Sequence, residues 1–306
     1  MIETVGLTRR FGEITAVDSL DLRIDDGRVF GFLGPNGAGK TTTVRMLCCL
    51  INASSGTAYI NGMDIRDESS RLKIRDMIGL LPETPGLYES LSSYRNLEFY
   101  AKLYGVPGSK RQERIKELLT TLGVWDRRDE AVGKFSKGMK QKIAIARALV
   151  HEPEFLFLDE PTSGLDPQAA LTVRNYLLDL KKEGRTIFLN THNLTDAERL
   201  CDTIGVLKGR LLDIGSPGEL ARKFYGRTTI IHLVRVTDAM VSAVSSLPSV
   251  HGVRVSGNKI LIDLENPESE NPIIVSALVS QGAEVEFVNE LKHGLEDVYM
   301  KLIGGS

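Results

Sequence analysis

Three cysteines and a single tryptophan in 306 residues, with aromatics at 6%, exclude more than they suggest. Cys48 and Cys49 are adjacent and Cys201 stands alone, which is neither a disulfide framework nor a metal-ligand spacing, so the thiols are expected to be buried. An excess of charge of either sign is also lacking. Lys and Arg number 38 against 40 Asp and Glu, a formal charge of -2, so nothing general draws the chain to nucleic acid or acidic lipid. Long apolar runs are absent too. The stretch MLCCLI falls far short of the ~20 residues of a membrane span, and the start MIETVGLTRRFGE has no apolar signal core. The expectation is a cytosolic chain that crosses no membrane, with no repeat or low-complexity segment.

What is present suffices for a full core. With 42% apolar and 25% charged residues, the length leaves room for one large domain and one small one. Strand-like runs RVFGFLG, MIGLLPE, EFLFLDE, TIFLNTH and TIGVLKG alternate with helical patterns, the rhythm of a parallel sheet in an α/β domain over residues 1–224. Between about residues 85 and 150 the pattern is mainly helical, which predicts an insertion into that domain. Over residues 225–306 the order changes to β-α-β-β-α-β with a closing helix LEDVYMKLIG, predicting a small α+β domain of ferredoxin-like type.

The stretch FLGPNGAGKTT, residues 32–42, lies between an apolar β-prone run and a run with Val44, Leu47 and Ile51 at helical spacing. The turn Gly34, Pro35, Asn36, Gly37, Ala38, Gly39 lets successive backbone N–H groups face one anion, and Lys40 adds a movable positive charge. Thr41 and Thr42 open the helix, and the Thr41 hydroxyl is placed to serve a Mg2+ ion bridging the phosphates of a nucleotide. This is a phosphate cradle.

A second constellation supplies acid–base chemistry. FLFLDE, residues 155–160, is a buried strand ending in two carboxylates. Asp159 can hold the Mg2+ shell, and Glu160 can polarise a water toward the γ-phosphate. Alone, the pair could be a solvated loop edge; beside a cradle it is read as functional. His192, at the end of TIFLNTH, could contact the γ-phosphate or orient the water, although taken alone it reads first as a hydrogen-bonded histidine capping a strand. Further, FSKGM at residues 135–139 precedes the helical run KQKIAIARALV, with Ser136 at an N-cap position and Gly138 permitting close backbone approach, a second anion site.

Cradle, FSKGM, LDEPTSGLD and NTH, in this order over residues 1 to about 220, resemble the ATPase subunit of an ABC transporter. The resemblance implies a P-loop NTPase fold of ABC type and a head-to-tail dimer in which Ser136 and Gly138 of one subunit close over ATP held by the cradle of the other. It also implies that Phe11 stacks on adenine and that Ser163, Gly164, Leu165 and Asp166 form the loop by which the subunits sense each other. Three positions depart from the pattern: Glu83 stands where glutamine is usual after the LLP strand, and Lys137 and Met139 replace a glycine and a glutamine. Glu83 would bring a carboxylate to Mg2+ in place of an amide.

The pairing with this tail resembles the exporter branch, in which the integral-membrane permease is a separate polypeptide. ATP and Mg2+ are then the cofactors, a second copy and a permease the partners, nucleic acid none, and the cytoplasmic face of the membrane the location. Glu160, His192, Lys40 and Glu83 are the expected catalytic residues, and Thr41, Glu83 and Asp159 the expected metal ligands. Two other functions are weighed, a soluble ATP-gated clamp and a nucleotide-binding regulatory module without turnover. Intact Lys40, Asp159, Glu160 and His192 speak against the second.

Overall fold

The computed structural model describes residues 1–304. The chain divides into two compact units after Pro217. The boundary therefore falls earlier than residue 224, because the helix Pro217–Tyr225 is grouped almost wholly with the tail.

The first unit opens with β1 (Ile2–Phe11) and β2 (Ile14–Ile24), followed by β3 (Val29–Leu33) and α1 (Lys40–Leu47). Next come β4 (Ser55–Ile60), β5 (Met63–Asp64), α2 (Glu68–Asp76) and β6 (Ile78–Leu81). Helices α3 (Ser93–Leu103), α4 (Gly108–Thr121) and α5 (Lys137–Leu149) precede β7 (Phe155–Asp159). The unit ends with α6 (Pro167–Lys182), β8 (Thr186–Asn190), α7 (Leu194–Leu200), β9 (Thr203–Lys208) and β10 (Arg210–Gly215).

Two sheets result. One has the order β10-β9-β3-β8-β7-β6, parallel except for β10 at its edge. Its strands β3, β7 and β8 are buried at every position, which is why they read as unbroken apolar runs rather than as alternation. Phe30, Phe32, Phe157 and Phe188 meet at its centre with ring centroids 5.2 to 5.5 Å apart, each burial worth roughly 2–3 kcal/mol. The ends of β3, β7 and β8 are thereby fixed in space, and these ends carry the site. The second sheet, β2-β1-β4-β5, is antiparallel and shares the same core through Ile2, Leu7, Val17 and Ile60.

The helical insertion joins β6 to β7, which are neighbours in the sheet. It is a detour from the sheet and back, so its helices leave the strand order undisturbed. Cys48, Cys49 and Cys201 are buried and free, as expected.

The second unit contains α8 (Pro217–Tyr225), β11 (Arg227–Leu233), α9 (Asp238–Ser245), β12 (Gly252–Ser256), β13 (Lys259–Leu264), α10 (Pro267–Ser280), β14 (Val285–Leu291) and α11 (Leu295–Gly304). Its antiparallel order β12-β13-β11-β14, with helices after the first and third strands, is that of a split β-α-β unit. It has its own core, in which Ile231, Leu233, Met240, Val244, Ile260, Ile262, Ile274 and Leu278 are fully or almost fully buried.

Candidate active site

The cradle is built by sterics before chemistry. A β-carbon on Gly34 would strike the Leu207 carbonyl and stand 3.0 Å from Ala38 Cβ. One on Gly39, where φ is +99°, would strike the Ala16 carbonyl and stand 3.0 Å from Val17 Cγ2. Only glycine fits either place. The loop is pinned by Ala38 N–H to Pro35 O at 3.2 Å, Gly209 N–H to Ala38 O at 3.0 Å and Thr43 N–H to Gly39 O at 2.9 Å.

Lys40, first residue of α1, donates from Nζ to Gly34 O at 2.7 Å and Pro35 O at 3.1 Å. Its ammonium thus lies folded over the loop. Burial pushes its pKa down, opposed by the carboxylates of Glu160, Asp159 and Glu83.

Asp159 ends β7 and pairs in register with Asn190 at the end of β8. Thr41 Oγ1 donates to Asp159 Oδ2 at 2.8 Å, and Asn190 Nδ2 approaches Oδ1 at 3.5 Å. Burial raises the Asp159 pKa and the charge of Glu83 adds to that, while the bonds from Thr41 and Asn190 and the Lys40 ammonium oppose it.

Glu160 takes a left-handed backbone, φ +51°, a conformation that costs a non-glycine residue about 1 kcal/mol or more. Its N–H donates to Asn190 O at 2.9 Å, holding the bend. The Glu160 carboxylate then meets the segment after β8. His192 donates from its backbone N–H at 2.9 Å and from Nδ1 at 2.7 Å to Oε1, and Thr191 Oγ1 donates to Oε2 at 3.4 Å. Since a carboxylate only accepts, Nδ1 carries the proton in this contact.

Asn36 through Thr42, Glu83, Asp159 and Glu160 line one cleft of about 280 Å³. The structure therefore brings together Lys40, Thr41, Thr42, Asp159, Glu160 and Glu83, with His192 bonded to Glu160. Ser136 and Gly138 are not among the residues lining that cleft. Ser136 caps α5 by accepting from Met139 N–H at 3.3 Å, and Gly138 is buried with Ala169, Leu165 and Asp166 nearest to where a side chain would project. A second cavity, about 480 Å³, meets the first at Glu83 and Glu160 and is bounded on its other side by Phe135, Lys137, Lys140 and Gln141.

Phe11 sits at the end of β1, 47% exposed, with the Arg9 guanidinium 4.4 Å from its ring centre. It does not line the cleft. Its hairpin borders the cradle through Ala16 and Val17.

Several polar residues at the site were not singled out in the sequence. Asn190 and Thr191 contact the two carboxylates, Gln141 Nε2 donates to Pro161 O at 3.1 Å, and buried Asp196 binds Thr162 Oγ1 and Arg174 Nε. Their one visible signal was a polar residue ending or following an apolar run.

Residues 17–163 match the family model described as ABC transporter. Across 99% of this chain and 98% of the relative, it is 32% identical to the linearmycin resistance ATP-binding protein LnrL of Bacillus subtilis (strain 168). The chain belongs to the ATP-binding proteins of the ABC transporter family. As a member it is an ATPase, the ATP-binding subunit of a transporter. The bacitracin transport ATP-binding protein BcrA of Bacillus licheniformis is 36% identical over 100% of this chain and 98% of its own length. A solved ATP-binding subunit of an ABC transporter superposes with a TM-score of 0.68 at 32% identity, over 74% of this chain and 94% of that one. A dimeric cassette in a post-hydrolysis state, bound to ADP and Pi, does so with a TM-score of 0.65 at 27% identity, over 71% and 98%. Among the described residues, no helix is long and apolar enough to cross a membrane.

Proposed function

We propose that this ABC ATPase works as a homodimer on the cytoplasmic face of a membrane, powering drug export through a permease on a separate chain. The observation that carries the reading is the separation of two half-sites in one chain: the cradle cleft holds Lys40, Thr41, Asp159 and Glu160, while Ser136 caps a different helix and does not line it. A second copy placed head to tail supplies Ser136 and Gly138 to each cleft, and the dimeric form of a related cassette supports this arrangement. Full-length likeness to proteins named for linearmycin resistance and bacitracin transport favours drug export over a soluble clamp.

In this reading the backbone of residues 34–39 and the Lys40 ammonium hold the phosphates, and adenine packs on the Phe11 face away from Arg9. The residues present suit Mg2+: Thr41 and Asp159 offer hard oxygen ligands 2.8 Å apart, and Glu83 lines the same cleft. Among the described residues no cluster of three His, Cys, Asp or Glu forms a metal cage. That fits an ion held by one or two protein oxygens together with phosphate oxygens and water. When bound, Mg2+ neutralises charge on the leaving phosphates. Glu160 accepts the proton of the attacking water, and His192, hydrogen-bonded to it, fixes its direction.

Glu160→Gln tests the reading. It is expected to bind MgATP, lose about 10²- to 10⁴-fold in turnover and elute as an ATP-bound dimer on size-exclusion chromatography. Retained turnover would move the base to another residue, and a monomer at saturating MgATP would remove the composite site. Isolation of the chain from membranes without a permease would reject the coupling.

A further inference from the structure

Lys137 stands where the family resemblance leads one to expect glycine, and its side chain lies across a loop of the same chain. A β-carbon built on Gly164 would stand 2.9 Å from Lys137 Cε and 3.2 Å from Cδ, and would strike Nζ. Gly164 has φ +66° and no side chain, so the outer end of Lys137, its Nζ with Cε and Cδ behind, occupies the space that any other residue there would fill. Lys137 is not alone in holding this loop. Gln141, one turn further along α5 and 4% exposed, donates to Pro161 O, and Gly138 lies against Leu165 and Asp166.

Both ends of the covered loop matter. At one end Ser163 N–H donates to the backbone carbonyl of Glu160 at 3.1 Å, tying the loop to the main chain of the residue that carries the catalytic carboxylate. At the other, Asp166 Oδ1 caps α6 by accepting from Ala169 N–H at 2.9 Å. Lys137 itself follows Ser136 directly, so a shift of the Ser136 backbone moves the root of the lysine.

We infer that Lys137 is a positioning residue, whose stem straps the start of α5 to the loop after Glu160 and so couples the two composite ATP sites of the dimer. This rests on the reading of composite sites given above. Closure of Ser136 onto ATP held by the opposite chain then displaces Gly164 and, through Ser163, the backbone of Glu160 in this chain's own site. The coupling is mechanical: it runs through packed CH2 groups and backbone hydrogen bonds, and it needs the length of the stem rather than its charge.

The test compares Lys137→Gly with Lys137→Met, which keeps an unbranched apolar stem and removes the charge. The readout is the Hill coefficient for ATP in steady-state hydrolysis, which for two coupled sites can approach about 2. Cooperativity is expected in the natural chain and in Lys137→Met, and a fall to about 1 in Lys137→Gly, with the affinity of the isolated chain for a fluorescent ATP analogue unchanged in all three. Equal loss in both variants would assign the coupling to the ammonium group rather than the stem and overturn the inference. So would full cooperativity in Lys137→Gly, or a coefficient of about 1 in the natural chain. Size-exclusion chromatography of Glu160→Gln with MgATP, with and without Lys137→Gly, separates the two claims: a dimer in both keeps the composite-site reading whatever the cooperativity shows, and a monomer in both removes it.

Discussion

Thr41 and Asp159, 118 residues apart in sequence, meet through a 2.8 Å hydrogen bond at the floor of the cradle cleft. Two elements must be placed independently for this to happen. α1 starts at Lys40 because Gly39 fits against Ala16, and β7 ends at Asp159 because it is held between β6 and β8. The bond orients the carboxylate that burial would otherwise leave as an unfavourable charge.

Lys40→Ala removes the ammonium that now caps Gly34 O and Pro35 O. Charge-assisted hydrogen bonds contribute about 1.5–3 kcal/mol, so ATP affinity is expected to fall roughly 10- to 150-fold. Titration with a fluorescent ATP analogue reads this directly. An unchanged affinity would show that the lysine acts only during turnover.

Mixing a Ser136→Arg chain with a Lys40→Ala chain is expected to restore phosphate release above that of either variant alone. In each heterodimer one cleft keeps both an intact cradle and an intact Ser136, and the other keeps neither. Independent sites within single chains would show no rescue at any mixing ratio.

Glu83 lines both cavities, and its charge acts on Asp159 and Lys40. Glu83→Gln is expected to raise the Mg2+ concentration needed for half-maximal hydrolysis at fixed ATP, since a carboxylate is a stronger ligand for a hard cation than an amide. Superimposable Mg2+ titrations would leave Thr41 and Asp159 to hold the ion.

Acid should weaken the antiparallel sheet through Asp64, whose pKa is drawn down to about 2, chiefly by Arg66 with help from Thr57. Because the folded pKa lies below the unfolded value of about 3.9, the contribution is full above pH ~4 and is lost as pH falls through about 2. Asp64→Asn, followed by urea denaturation at stepped pH, should show a shallower fall in midpoint across that window than the natural chain. Parallel curves would place the acid sensitivity elsewhere.

The cradle, the Asp159-Glu160 pair, the helical insertion and the β-α-β-β-α-β order of the tail were legible in the sequence because each depends on local periodicity or on glycine at fixed spacing. The sheet β2-β1-β4-β5 was not. Register shifts interrupt the pairing of β1, and Val5, Phe11 and Ile14 are exposed, so no clean alternation marks these strands. The boundary after Pro217 was also displaced, since an amphipathic helix reads the same whichever unit packs against it. Which polar groups meet was decided only by tertiary structure. Thr41 with Asp159, His192 with Glu160, Thr162 with Asp196 and Lys137 over Gly164 are each brought together from separate elements. Residue type fixes what a side chain can donate or accept, but its partner depends on where the packed core sets the ends of the strands.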